Sequence, residues 1–118
     1  SLTHLAEENG RLVPASKIAA RFGVSGPHLR KIHQQLARAG LIESARGPAG
    51  GVRLKRPAKR ITLLHVFEAV QGTLRCSPCL LPKSKCRRKC CILGDLMPEL
   101  LDKTRAYLSG TSLADVRA

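Results

Sequence analysis

Residues 16–54 read SKIAARFGVSGPHLRKIHQQLARAGLIESARGPAGGVRL. Apolar residues recur at helical spacing over the first two-thirds of this stretch and alternate in the last third. Pro14-Ala15-Ser16 opens a helix, with Ser16 as N-cap and Ile18, Ala19 and Phe22 on its buried face. Gly23 stops it, and Val24-Ser25-Gly26 makes a tight turn. Ser25 or Gly26 caps the next helix, with Pro27 near its first position, where a missing N–H does no harm. In that helix Leu29, Ile32, Leu36 and Ala39 point inward, while Arg30, Lys31, Gln34, Gln35 and Arg38 point out. Two short helices joined by a glycine-containing turn make a helix-turn-helix. Leu41 to Ser44 then reads as a strand, Arg46 to Gly51 as a glycine-rich hairpin tip, and Val52 to Leu54 as the return strand.

Working outward, Leu2, Leu5 and Ala6 form a short helical stripe that ends at Asn9-Gly10. This stripe reads as the second half of an amphipathic helix, so a preceding segment is expected. Downstream, Thr62 caps a helix with Leu63, Leu64, Phe67 and Val70 on its apolar side and Gly72 at its end. A last long helix carries Ile92, Leu93, Leu96, Leu100, Leu101, Tyr107 and Leu108. Pro98 either kinks it or lies in the first turn of a fresh start capped by Asp95. Its apolar surface is wide for the end of a small domain, and a second subunit is the natural cover. Thr111 is expected to cap a final turn through Asp115.

The fold class is therefore mainly α with a small β-wing: a winged helix-turn-helix plus a long C-terminal dimerisation helix. Residues 1–73 form the winged unit, 74–93 a cysteine-rich loop, and 94–118 the dimerisation helix and tail. The chain has 118 residues and 43% hydrophobic content, enough for one core but not for two.

Charge narrows the function. The chain carries 21 Lys and Arg against 8 Asp and Glu, a formal charge of +13, which favours a polyanion partner. One Tyr, two Phe and no Trp leave little for stacking splayed RNA bases, so duplex DNA is favoured. No apolar run approaches a membrane span, so no membrane partner is expected. Ser25, Pro27, His28, Arg30 and Lys31 occupy the N-terminal end of the second helix, the end that meets base edges in this motif. Arg46 on the slim glycine hairpin suits a narrow minor groove. Arg53 on the return strand joins the expected DNA contacts. Lys55, Arg56, Lys59 and Arg60 read equally well as phosphate contacts or as solvated charge. His28, His33 and His65 read as surface or packing residues rather than ligands, and His4, near the start, could approach whatever docks there but carries little weight.

All five cysteines lie between Cys76 and Cys91: Cys76, Cys79, Cys86, Cys90 and Cys91. The odd count and the Cys90-Cys91 pair argue against a secreted disulfide framework and for a reducing cytoplasm. Lys83, Lys85, Arg87, Arg88 and Lys89 lie between the thiols and favour thiolates, the form that binds metal. The spacing suits tetrahedral zinc or an iron–sulfur cluster equally, with a bare Cys76–Cys79 redox pair as a third reading. A thiol–disulfide enzyme would need a βαβ context that the pattern lacks, so no enzymatic activity is expected.

The run Ala19-Ala20-Arg21-Phe22-Gly23-Val24-Ser25, then His28-Leu29 and Lys31-Ile32, resembles the Rrf-type family of bacterial transcription regulators (IscR-, NsrR- and RirA-like proteins). So does the wing, Ser44 to Leu54, with Arg46-Gly47-Pro48 and Gly50-Gly51-Val52. Ile61 to Gly72 and the closing Thr111-Ser112-Leu113-Ala114-Asp115 extend the likeness over nearly the whole chain. The resemblance implies a homodimeric winged-helix regulator on a palindromic operator, with repression the expected sense. It also implies DNA contacts from Ser25, Pro27, Arg30, Ser44 and Arg46. Three cysteines, Cys79, Cys86 and Cys91, would hold a 2Fe-2S or 4Fe-4S cluster sensing iron, redox state or nitric oxide. Cys76 and Cys90 are additional possible ligands, and zinc is the alternative metal. Gly94 stands where some relatives carry a histidine ligand. His28 replaces a usual Tyr, and Val52 replaces a usual aromatic residue.

Overall fold

A computed structural model of the chain describes residues 1–75, 93 and 95–116. All five cysteines, Ile92 and Gly94 lie outside the described residues. Among the described residues, five α-helices and one two-stranded sheet follow in the order α1 (Leu2–Glu7), α2 (Ala15–Phe22), α3 (Gly26–Arg38), β1 (Ile42–Ala45), β2 (Gly51–Leu54), α4 (Leu63–Gln71) and α5 (Leu96–Gly110). A short 3-10 turn, Ala58–Arg60, joins the sheet to α4.

The core is aliphatic, as a chain nearly without aromatics requires. Leu5 from α1, Ile18 from α2, Leu36 from α3, Ile42 from β1 and Ile61 ahead of α4 are each at most 2% exposed. Burying each such side chain contributes about 1.5–3 kcal/mol. Leu29, His33 and Leu36 form the inward stripe of α3 at spacings of four and three residues.

Several expectations are corrected. Pro14, not Ser16, is the N-cap of α2, because the helix begins one residue before Ser16. Phe22 is 45% exposed: it is the last residue of α2, and Gly23 (φ 62°) turns the chain before anything covers it. Ala39 is exposed because α3 ends at Arg38. His33 is a packing residue, as expected, at 7% exposure, and His4 joins it in the core at 4%; among the described residues His4 Nδ1 and His33 Nε2 have no hydrogen-bond partner. Ser112, not Thr111, closes the final turn: its N–H and hydroxyl both donate to Asp115 Oδ2, at 2.9 and 2.7 Å. These bonds hold the Asp115 carboxyl below its ordinary pKa.

The wing strands pair antiparallel, with Ile42 opposite Leu54, Glu43 opposite Arg53, Ser44 opposite Val52 and Ala45 opposite Gly51. The linker between α1 and α2 adds a third rung. Val13 and Val52 each donate a backbone N–H to the other's carbonyl at 2.9 Å. Close approach at this rung demands glycine. A Cβ on Gly51 would stand 2.4 Å from the Val13 carbonyl oxygen, and one on Gly50 would stand 2.3 Å from that of Ala45.

Thr62 caps α4 through a reciprocal box. Its Oγ1 accepts from the His65 N–H, and His65 Nδ1 accepts from the Thr62 N–H, both at 3.2 Å. The chain after α5 returns to this point: Leu113 N–H donates to the Ile61 carbonyl at 2.8 Å, and Leu63 N–H to that of Thr111 at 2.9 Å. Leu113, 3% exposed, thereby joins the core.

α5 is helical from Leu96 to Gly110, with Pro98 in its first turn and no break. Asp95 holds the N-cap position without a side-chain bond, and Leu93 precedes the helix. At 100° per residue, Met97, Leu101, Arg105 and Leu108 share one side, and these are half-buried beside α4. Leu96, Leu100 and Tyr107 fall within about 40° of one another on a different side. They are 47%, 47% and 66% exposed.

Candidate nucleic-acid interface

The interface is built on α3 and the wing. Ser25 is the N-cap of α3, and its Oγ accepts from the His28 N–H at 3.3 Å. That bond uses the hydroxyl as acceptor, so its O–H remains a donor for a phosphate or a base edge. With Pro27 at the start of the helix, the first turn is fixed without an orphan N–H at that position. Ser25, Pro27, His28, Arg30 and Lys31 are all exposed, while Leu29 between them is 6% exposed and anchors the turn in the core. The inward stripe thus holds the outward one in register.

Ser44, Arg46 and Arg53 are exposed on the wing. A groove of about 710 Å³ runs between α3 and the wing. Arg30 and Gln34 line one wall, Ser44 and Arg46 the other, with Ser16 of α2 also at its edge. Gln34 and Ser16 were not among the expected contacts. Gln34 sits one helical turn after Arg30, and that i, i+4 spacing is the signal that places it on the same face. Two expected contacts, Arg30 and Arg46, therefore flank a single groove. Arg53 differs: its guanidinium is engaged by Glu43 across the sheet, with Nε donating to Oε1.

That pairing matters because residues 9–67 carry twelve Lys and Arg and one carboxylate, Glu43. The one carboxylate of this stretch is thus already paired with a guanidinium. Burial lowers the pKa of His33. His33 is therefore neutral at neutral pH and adds no charge to the groove.

A recognition helix with an exposed donor-rich first turn, a slim wing and a carboxylate-poor groove is equipment for reading one groove of a duplex while gripping its backbone. The full length, residues 1–118, matches the Rrf2 family of iron-dependent transcriptional regulators.

The chain belongs to the Rrf2 family.

It is 41% identical over 71 residues to the HTH-type transcriptional regulator IscR of Cereibacter sphaeroides, covering 59% of this chain and 46% of that relative. The chain thus spans about half the length of that relative. It is 31% identical over 105 residues to IscR of Xenorhabdus nematophila, covering 88% of this chain and 63% of that one. Among solved structures, IscR of T. potens aligns with a TM-score of 0.71 at 26% identity, over 97% of this chain and 75% of that one. CymR, the global cysteine regulator of B. subtilis, shares the fold, with a TM-score of 0.75 at 24% identity over 97% and 84% of the two chains. The chain thus has the winged-helix fold of this family of transcriptional regulators. Among the described residues no helix is long and apolar enough to cross a membrane, and no group of three or more His, Cys, Asp or Glu could hold a metal.

Proposed function

We propose that two copies of the chain pair through α5 and straddle a palindromic operator in the bacterial cytoplasm, acting as a repressor. A cysteine-held iron–sulfur cluster sets the affinity of the pair. The observation that carries this reading is the common groove of Arg30 and Arg46, with the neighbouring carboxylate, Glu43, withdrawn by Arg53.

Ser25, Pro27, His28, Arg30 and Lys31 enter the major groove. Ser44 and Arg46 reach the adjacent minor groove and backbone. Arg53 contributes positive potential after its share to Glu43. Dimerisation is supported by the Leu96, Leu100 and Tyr107 stripe, an exposed apolar line on a helix whose other side already packs on its own chain. A second copy of that stripe covers it symmetrically.

Cys79, Cys86 and Cys91 supply the thiolates for the cluster, with Cys76 and Cys90 as further donors. The support is their spacing in the sequence, the cations among them and the IscR relatives. When bound, such a cluster supplies a redox- and nitric-oxide-reactive centre. Protein purified without oxygen and assayed for iron and acid-labile sulfide tests this directly. Iron and sulfide together, with thiolate-to-iron absorption in the visible, are expected. Colourless protein carrying one zinc per chain replaces the sensor with a structural staple, and protein with neither leaves redox thiols.

A further inference from the structure

The chain leaves α4 at Gly72, and Leu74 follows at 8% exposure. Cys76 stands two residues beyond it. From α5, Arg105 reaches across 31 positions of sequence to donate its Nη2–H to the Leu74 carbonyl at 2.8 Å, in a half-buried site. We propose that Arg105 is a positioning residue: it locks the start of the cysteine segment, and with it the winged unit, to the dimerisation helix.

The geometry gives this lock leverage. Arg105 lies on the half-buried side of α5, with Met97, Leu101 and Leu108, and not on the exposed Leu96–Leu100–Tyr107 side. It lies ten residues beyond Asp95, which is about 15 Å along the helix. Leu74, two residues ahead of Cys76 in sequence, is therefore fixed at a point about two-thirds along α5, and Asp95, which follows the cysteines in sequence, stands at the N-terminus of the same helix. Leu74 is also joined to α4 through residues 72 and 73. With the lock made, a change in the segment bears on the angle between α4 and α5. That angle sets how far apart two recognition helices stand in a dimer. With the lock absent, residues 72–75 absorb the change. A guanidinium suits the task because a charged donor to a main-chain carbonyl is stronger than a neutral one, and the carbonyl it holds belongs to every side chain that could stand at position 74.

The inference rests on the reading above that cysteine occupancy controls operator binding, and the test separates the two. Wild type, Arg105→Gln and Arg105→Lys are purified without oxygen. Each is measured for operator affinity before and after the metal is stripped with ferricyanide and a chelator, at one salt concentration. Amide hydrogen exchange is followed across residues 72–75 and 100–108. In Arg105→Gln the metal content, the dimer and the affinity of one of the two states are expected to stay within twofold of wild type. The ratio of the two affinities is expected to fall at least fivefold toward one, and exchange at 72–75 to quicken. Arg105→Lys restores part of the ratio. A wholly structural role would weaken both states together and leave the ratio alone, which overturns the proposal. If the wild-type ratio is already one, the regulatory reading is what fails. The lock is then judged by exchange, and unchanged exchange in Arg105→Gln refutes it.

Discussion

Val13 and Val52 exchange both of their backbone hydrogen bonds, each at 2.9 Å, so the linker after α1 forms a third rung on the two-stranded wing. The wing is held close to its hairpin turn by a segment far from it in sequence. Gly51 leaves the space for that rung, since its Cβ would meet the Val13 carbonyl oxygen at 2.4 Å. Gly51→Ala is expected to destabilise the fold by roughly 2 kcal/mol through forced backbone displacement. Urea unfolding measures this, and a loss below about 0.5 kcal/mol would mean that the rung yields freely.

Glu43 is the one carboxylate between residues 9 and 67, and Arg53 holds it. Both side chains are nearly half exposed, so the pair adds little to stability. Its effect is on charge. Glu43→Gln is expected to tighten operator binding several-fold and to steepen the slope of log affinity against log salt by about one, as Arg53 becomes free for a phosphate. Arg46→Ala is expected to move the slope by about one in the opposite direction and to weaken binding about tenfold or more. Fluorescence titrations at three salt concentrations read both.

His33 is a neutral core residue whose Nε2 has no partner among the described residues. Burial depresses its folded pKa below the ordinary value of about 6.5. The unfolded chain thus takes up the proton first as pH falls. The stability tied to His33 is present in full above about pH 6.5 and is lost as pH drops from there toward the folded pKa, at no more than about 1.4 kcal/mol per pH unit. His33→Leu is expected to flatten this part of the stability profile. Chemical denaturation between pH 5 and pH 7.5 checks it, and an identical profile in the variant refutes it.

Leu100 sits in the middle of the exposed α5 stripe at 47% exposure. Leu100→Glu is expected to yield a monomer at micromolar concentration in sedimentation, while far-ultraviolet circular dichroism is retained. A variant that stays dimeric would place the interface elsewhere.

The winged unit was legible because its signals are local. Ser25, Pro27 and Leu29 name the start of α3 by capping, ring geometry and spacing, and the glycines at 50 and 51 name a tight hairpin. What stayed hidden depends on residues distant in sequence. Gly23 marks where α2 ends, but nothing near Phe22 reveals that no other element covers its ring. His33 looks polar until Leu29 and Leu36 fix the buried side of α3. The Val13–Val52 rung, the Glu43–Arg53 pair and the Arg105–Leu74 bond join positions 10 to 39 residues apart, and no periodicity reports such a meeting. Of the candidate site, the contact residues on α3 and the wing were readable as exposed positions. The groove they share with Gln34 and Ser16 needed the packing of three elements.

Operator affinity, measured by fluorescence anisotropy without oxygen at one fixed salt concentration, tests the central claim most directly. The same preparation is titrated with its metal centre intact and after the centre is removed. The account predicts that the two constants differ at least tenfold and that both forms remain dimers. Equal constants from protein shown to have carried and then lost its iron would contradict it.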